Sequence, residues 1–202
     1  GSLRKKIIIS TGMSSLIEIK KALSILMSKG TSRKNIEILH CVSQYPADIK
    51  NLNLHSIKFL QDKLKFPIGF SDHSLGIDAS LIAIGLGSRL IEKHFTLDKN
   101  LRGPDHKSSL SPRDLIIFIK KIRQAEKSLG QYNKEPKKDE LLNKKFIRKK
   151  IVAIKEILAG DKFSLDNIIT KRSLSGSPAS LWKKLIGKKS KRNYKKNQGI
   201  YI

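Results

Sequence analysis

The chain has 202 residues, 39% hydrophobic and 6% aromatic, which allows one large domain or two small ones around a lean core. Its formal charge is +25, from 42 basic and 17 acidic residues, but the cations are dispersed and lysine outnumbers arginine, a pattern that fits a solvated surface better than a nucleic-acid reader. No apolar run approaches a membrane span, and the single Cys41 excludes an internal disulfide and a CxxC metal site.

The opening "GSLRKKIIIS" has an apolar run too short for a signal-peptide core and no small-residue cleavage site after it, so a cytoplasmic location is expected. Within it, "KKIIIS" is a short β-branched run and predicts a strand. In "SLIEIKKALSILMSKG", Leu16, Ile19, Leu23 and Leu26 recur at helical spacing and Gly30 closes the helix. "IEILHCVS" is the next strand, "QYPADIKN" a loop and "LNLHSIKFLQDKL" a helix. "FPIGF" and "IDASLIAIGLG" form the third pair. "SRLIEKHF" is the fourth strand, followed by the polar loop "TLDKNLRGPDHKSSLSP" and the helix "RDLIIFIKKIRQAEKSLG". Strands alternating with helices over residues 1–130 predict an α/β domain of βα units on a parallel sheet.

"QYNKEPKKDELLNKKF" is polar, carries Pro136 and has no clear period, so residues 131–147 read as a linker. From Arg148 short apolar pieces alternate with Gly and Ser turns, which predicts a small, mostly β second domain over 148–202. Four parallel strands cannot close a barrel. The first domain is therefore either a small open sheet or half a barrel whose other half lies upstream.

The strand ends are polar in a patterned way. Residues i and i+2 of a strand share a face. This pairs Ser71 with His73 in "FSDHS", Glu92 with His94 in "IEKHF", and Ser43 with Tyr45 in "CVSQYP". All three pairs fall at the C-terminal ends of parallel strands, where α/β folds build active sites. Consecutive strands lie about 4.8 Å apart, so His73 and His94 can meet one divalent cation and leave positions open for water and substrate oxygens. Asp72 points away from that site or holds the loop. Other readings stay open: each histidine can be a satisfied polar residue, Glu92 can pair with Lys93 or Arg89, and His106 can cap a turn. His40 alternates with Cys41 and faces the helix layer; His55 reads as structural.

"STGM", "LHCVSQYP", "GFSDHSLGID", "IEKHFTLDKNLRGPDHKSSLSP" and "RKKIVAIKEI…GDKFSLDNIITKR", in this order, resemble the N-acetylneuraminate (sialic acid) synthase family, and the tail resembles its antifreeze-like SAF domain. The resemblance implies a metal-dependent, cytoplasmic transferase that condenses phosphoenolpyruvate with an N-acetylated hexose such as N-acetylmannosamine. The cofactor would be Mn2+ or Mg2+. By motif, His73 and His94 look like the metal ligands. Glu92 and Tyr45 take catalytic positions. Ser10, Ser43 and Ser71 match positions near phosphoenolpyruvate, and Tyr45 and Asp105 match the sugar side. Arg172 matches a tail-domain arginine that reaches the partner's site in a domain-swapped homodimer, although the loop after it, "SLSGSPASLW", departs from the family pattern.

The resemblance reaches only the last four strands of the family's eight-stranded TIM barrel. It implies an incomplete or split form, weakly active or silent by itself, that a separate N-terminal half-barrel would complete. A legionaminic or other nonulosonic acid synthase is the alternative within the class. A non-catalytic basic module binding nucleic acid or another anionic surface, motivated by the cluster Lys183–Lys196, is the alternative outside it.

Overall fold

The computed structural model describes residues 1–202, which divide into two units, Gly1–Gln131 and Tyr132–Ile202. The first alternates strands and helices: β1 (Ile7–Ser10), α1 (Leu16–Ser28), β2 (Ile36–Cys41), α2 (His55–Leu64), β3 (Ile68–Asp72), α3 (Asp78–Gly85), β4 (Ile91–Lys93) and α4 (Pro112–Leu129). The strands pair in parallel in the order β1-β2-β3-β4. This is a curled half-barrel sheet, in which β1 and β4 each pair on one side only.

The two-residue period of the strands sorts their side chains. Ile36, Ile38 and His40 align with Ile68 and Phe70 on the helix side. There the isoleucines and Phe70 form a core with Ile19 and Leu23 of α1, Ile57, Leu60 and Leu64 of α2, and Ala79 and Ala83 of α3. His40 is part of this layer. Its Nε2 lies 2.8 Å from the Leu52 carbonyl oxygen and its ring stacks on Phe70. Burial pushes its pKa below the ordinary histidine value, against the pull of that carbonyl. The opposite face carries Ile8, Ser10, Leu39, Cys41, Ser71 and Glu92. Ile8 is 51% exposed there, since no second layer covers it.

Both flanking helices begin as their sequences direct. The Ser15 amide donates to the Glu18 carboxylate at 2.8 Å while the Glu18 amide donates to the Ser15 hydroxyl. Ser111 and Asp114 repeat that reciprocal cap ahead of α4, with Pro112 at its first position. Asp114 also meets Lys99 at 2.7 Å; the Lys99 and Ser111 bonds lower its pKa to about 2.

Strand limits differ from expectation at the site end. β2 stops at Cys41, so Ser43 and Tyr45 stand in the following loop. β4 is only three residues long, because the chain beyond it pairs with the loop ahead of α4. The Leu110 amide donates to the His94 carbonyl and the Thr96 amide to the Leu110 carbonyl, each at 2.9 Å. His94 is therefore the first residue past the strand.

In the second unit, α5 (Lys138–Ile147) precedes β5 (Lys149–Ala153), β6 (Ile168–Arg172) and the single turn α6 (Trp182–Leu185). β5 and β6 are antiparallel, and Val152 and Ile157 make further bridges to Gly199 and Tyr194. Ile151, Ile157, Phe163, Ile168, Leu185, Tyr194 and Ile200 form the core. Gly176 has φ +104°, and a Cβ there would sit 2.6 Å from the Ile151 carbonyl oxygen, so the position demands glycine. α5 occupies the stretch expected as a linker. It buries no residue, so no apolar stripe marks it in the sequence. Local terms hold it: Asp139 and Glu140 in its first turn, Lys144 and Lys145 in its last. No helix of the chain is long and apolar enough to cross a membrane.

Candidate active site

Parallel register brings the polar strand ends of the first unit to one level. Cys41 aligns with Ser71 and Ser71 with Glu92. The Ser71 hydroxyl, almost wholly buried, donates to Glu92 Oε1 at 2.7 Å. His73 and His94 follow one residue beyond the ends of their strands, with ring centroids 5.2 Å apart and nearly edge to face. Tyr45 completes an aromatic trio. Its ring lies 4.2 Å from that of His73 and 5.6 Å from that of His94. The loop carrying it is tied down where the Ala47 amide donates to the His73 carbonyl at 2.9 Å. Desolvation, then the negative potential of Cys41, Asp105 and Glu92, pushes the Tyr45 phenol above its ordinary pKa. Asp105 Oδ2 stands 3.8 Å from His94 Nδ1.

The hydrogen bonds decide which nitrogen of His73 is available. Its Nδ1 lies 2.8 Å from the Val42 carbonyl oxygen, a pure acceptor, so Nδ1 carries the proton. Nε2 is 3.4 Å from Ser71 Oγ, but that hydroxyl spends its proton on Glu92. The Nε2 lone pair is left free. A ring fixed through one nitrogen by a backbone carbonyl, with the other nitrogen uncommitted, is prepared for a metal. The structure gathers no group of three or more His, Cys, Asp or Glu side chains able to hold a metal ion. The fit is thus a two-histidine one, with remaining positions left to water and substrate oxygens. Imidazole donors suit Mn2+ better than Mg2+, which prefers an all-oxygen shell.

Ser43 sits against the chain after β1: a Cβ on Gly12 would fall 2.2 Å from its Oγ. Glycine at 12 therefore makes room for the Ser43 hydroxyl. Ser10, exposed at the end of β1, shares the sheet face of Cys41 and Ser71. Arg172 ends β6 in the second unit. His106, read as a possible turn cap, binds the Thr96 hydroxyl through Nδ1 at 2.8 Å and so ties down the loop that carries Asp105.

The pairing of Glu92 with Lys93 or Arg89 is not what forms. Lys93 points to the opposite side of the sheet and meets Asp72 Oδ2 at 2.9 Å, leaving Glu92 to Ser71. Asp72 holds the loop: its Oδ1 accepts from the Ser74 amide and hydroxyl, and its Oδ2 from the Ser80 hydroxyl. Lys93, Gly12 and Ser80 are the site-supporting residues that sequence reasoning missed. Alternation was the available signal for Lys93, since it sits between Glu92 and His94 as Asp72 sits between Ser71 and His73.

Residues 1–134 match the NeuB family and residues 148–202 match the SAF domain. The N,N'-diacetyllegionaminic acid synthase of Campylobacter jejuni is 46% identical over 198 residues, which cover 98% of this chain and 59% of that protein. The human N-acetylneuraminate-9-phosphate synthase is 32% identical over 92% of this chain and 51% of its own length. Among solved structures, the Bacillus subtilis spore coat polysaccharide biosynthesis protein spsE superposes with a TM-score of 0.60 at 32% identity, over 98% of this chain and 60% of that one. N-acetylneuraminic acid synthetase from Leptospira borgpetersenii gives 0.61 at 39% identity, over 67% of this chain and 47% of that one. The chain thus spans less than two thirds of these relatives, and its strands correspond to part of their TIM barrel. With its family match, its half-barrel and its strand-rich tail, the chain belongs to the NeuB family of sialic-acid-type synthases and carries a SAF domain.

Proposed function

We propose that the chain forms part of a nonulosonic acid synthase, which joins phosphoenolpyruvate to the aldehyde of an N-acylated hexose and releases phosphate. The observation that carries this reading is the convergence of His73, His94, Tyr45, Ser71 and Glu92 at the C-terminal ends of adjacent parallel strands. A divalent ion bound by His73 and His94, best Mn2+, would supply Lewis-acid polarisation of the sugar aldehyde. The residues of the chain do the rest of the positioning. Ser43 offers a hydroxyl donor to an anionic substrate, Ser71 spends its own on Glu92, and Ser10 lies on the same sheet face as Ser71. Glu92, held by Ser71, can take a proton at Oε2 while Oε1 remains bonded. The Tyr45 phenol, its pKa raised, stays protonated and serves as a donor beside both imidazoles. Asp105, next to His94, is an acceptor for sugar hydroxyls. Arg172 would contribute from the SAF domain of a second copy in a swapped dimer.

The unpaired outer edges of β1 and β4 and the half-exposed Ile8 support a complementary half-barrel as the partner that completes the site. For the sugar, N-acetylmannosamine competes with the precursor of legionaminic acid. The 46% identity to a diacetyllegionaminic acid synthase, against 32% to an N-acetylneuraminate-9-phosphate synthase, favours the legionaminic type. The test is mass spectrometry of products from phosphoenolpyruvate, Mn2+ and both sugars in equal amounts, with the chain complemented by a relative's N-terminal half-barrel. The diacetylated acid should predominate. Excess N-acetylneuraminate would reverse the sugar choice, and no nonulosonic acid from either sugar would overturn the reading.

A further inference from the structure

We propose that the buried Asp72–Lys93 pair is a positioning device that rivets β3 to β4 and so fixes the spacing of His73 and His94. Its catalytic meaning rests on the metal-dependent synthase reading; its geometry does not. The backbone ladder between β3 and β4 has Asp72 and Lys93 as its final rung. Both histidines stand one residue beyond it, where no further rung of that ladder holds them together. The side chains of the final rung take over that task from the far side of the sheet.

The contacts suit a rivet. The Asp72 side chain is 0% exposed and that of Lys93 5%, and they meet at 2.9 Å. Lys93 Nζ also donates to the Ser74 carbonyl at 2.6 Å. Asp72 in turn accepts from the Ser74 amide at 2.9 Å and from the Ser74 and Ser80 hydroxyls, each at 2.6 Å. Residues 72 and 74, on either side of His73, are thus both bound to residue 93, which lies between Glu92 and His94. Burying two charges is costly, and a well-packed apolar pair often serves stability as well or better. What an ion pair adds is direction. It prescribes one relative placement of the two strand ends, whereas apolar contact tolerates slippage. Asp72 and Lys93 face away from Glu92 and Ser71, so they act through the histidines and touch no reacting atom.

The test uses the full chain without metal and reads the nuclear Overhauser effect between the His73 and His94 ring protons. The wild type should show it. Lys93→Met should lose it while far-UV circular dichroism stays unchanged, and Lys93→Arg should partly restore it. If Lys93→Met does not fold, the double variant Asp72→Asn/Lys93→Met, which leaves no unpaired charge, replaces it. An undiminished effect in a folded variant, or no effect in the wild type, overturns the proposal. Mn2+ titration separates this from the metal reading. Lys93→Met should weaken binding about 10-fold, and should have no further effect in a His94→Ala background, where no spacing remains to be set. An equal loss in that background would mark a general structural role and also overturn the proposal. A wild-type chain that binds no Mn2+ would refute the metal reading, while the ring-to-ring effect would still decide the rivet.

Discussion

The first unit buries one face of its strands under helices and leaves the other open, with polar residues crowded at one end. The second turns its strands inward on a closed core. Ile8, on the open face of β1, is 51% exposed, whereas Ile151, Ile157 and Ile200, which face the core of the second unit, are 0% exposed. The charged groups follow suit. The first unit encloses an aspartate and a lysine beneath its site, whereas the polar residues buried in the second, Asn167, Ser177 and Ser190, are uncharged. The first unit leaves its polar strand ends open, and the second packs on itself.

Substitutions can break or sharpen this contrast. The largest effect belongs to the site of the first unit. His73→Ala or His94→Ala should lower turnover of the complemented enzyme by more than the about 10–100-fold typical of residues that merely support metal ligands. Circular dichroism should remain unchanged, and steady-state phosphate release is the assay. Packing should dominate in the second unit. Ile151→Ala removes a side chain with 0% exposure and should cost about 2–5 kcal/mol in urea unfolding followed by the fluorescence of Trp182. Gly176→Ala forces a Cβ against the Ile151 carbonyl at positive φ and should cost about 1–3 kcal/mol in the same measurement.

The smallest effect is a pH slope confined to the first unit. The pKa of His40 is lower in the folded chain than its ordinary 6.5. The unfolded chain therefore takes up that proton first. The stabilising contribution is present in full above 6.5 and is lost as pH falls from there toward the folded pKa. His40→Gln should flatten the dependence of thermal midpoint on pH over that range. An unchanged slope would show that His40 is not its source.

The βα alternation was legible because each helix places an apolar stripe, such as Ile19 and Leu23, against β-branched strands. The face-sharing of Ser71 with His73 and of Glu92 with His94 was legible for the same periodic reason. Three features were not. α5 carries no buried stripe, so nothing in its pattern separates it from a linker. The shortness of β4 depends on Leu110, a residue distant in sequence that captures the His94 carbonyl. The partner of Lys93 depends on register, because only the Asp72–Lys93 rung brings the two charges together. Local pattern thus announced which polar residues converge, while tertiary pairing chose what holds them in place.

We propose that the strand ends of the first unit form a metal-dependent site completed by a second half-barrel. The most direct measurement is phosphate release from phosphoenolpyruvate, N-acylated hexose and Mn2+ by the chain alone, by the chain mixed with a relative's N-terminal half-barrel, and by the same mixture carrying His73→Ala. Release is expected only from the unsubstituted mixture. Release by the chain alone, or undiminished release with His73→Ala, would contradict it.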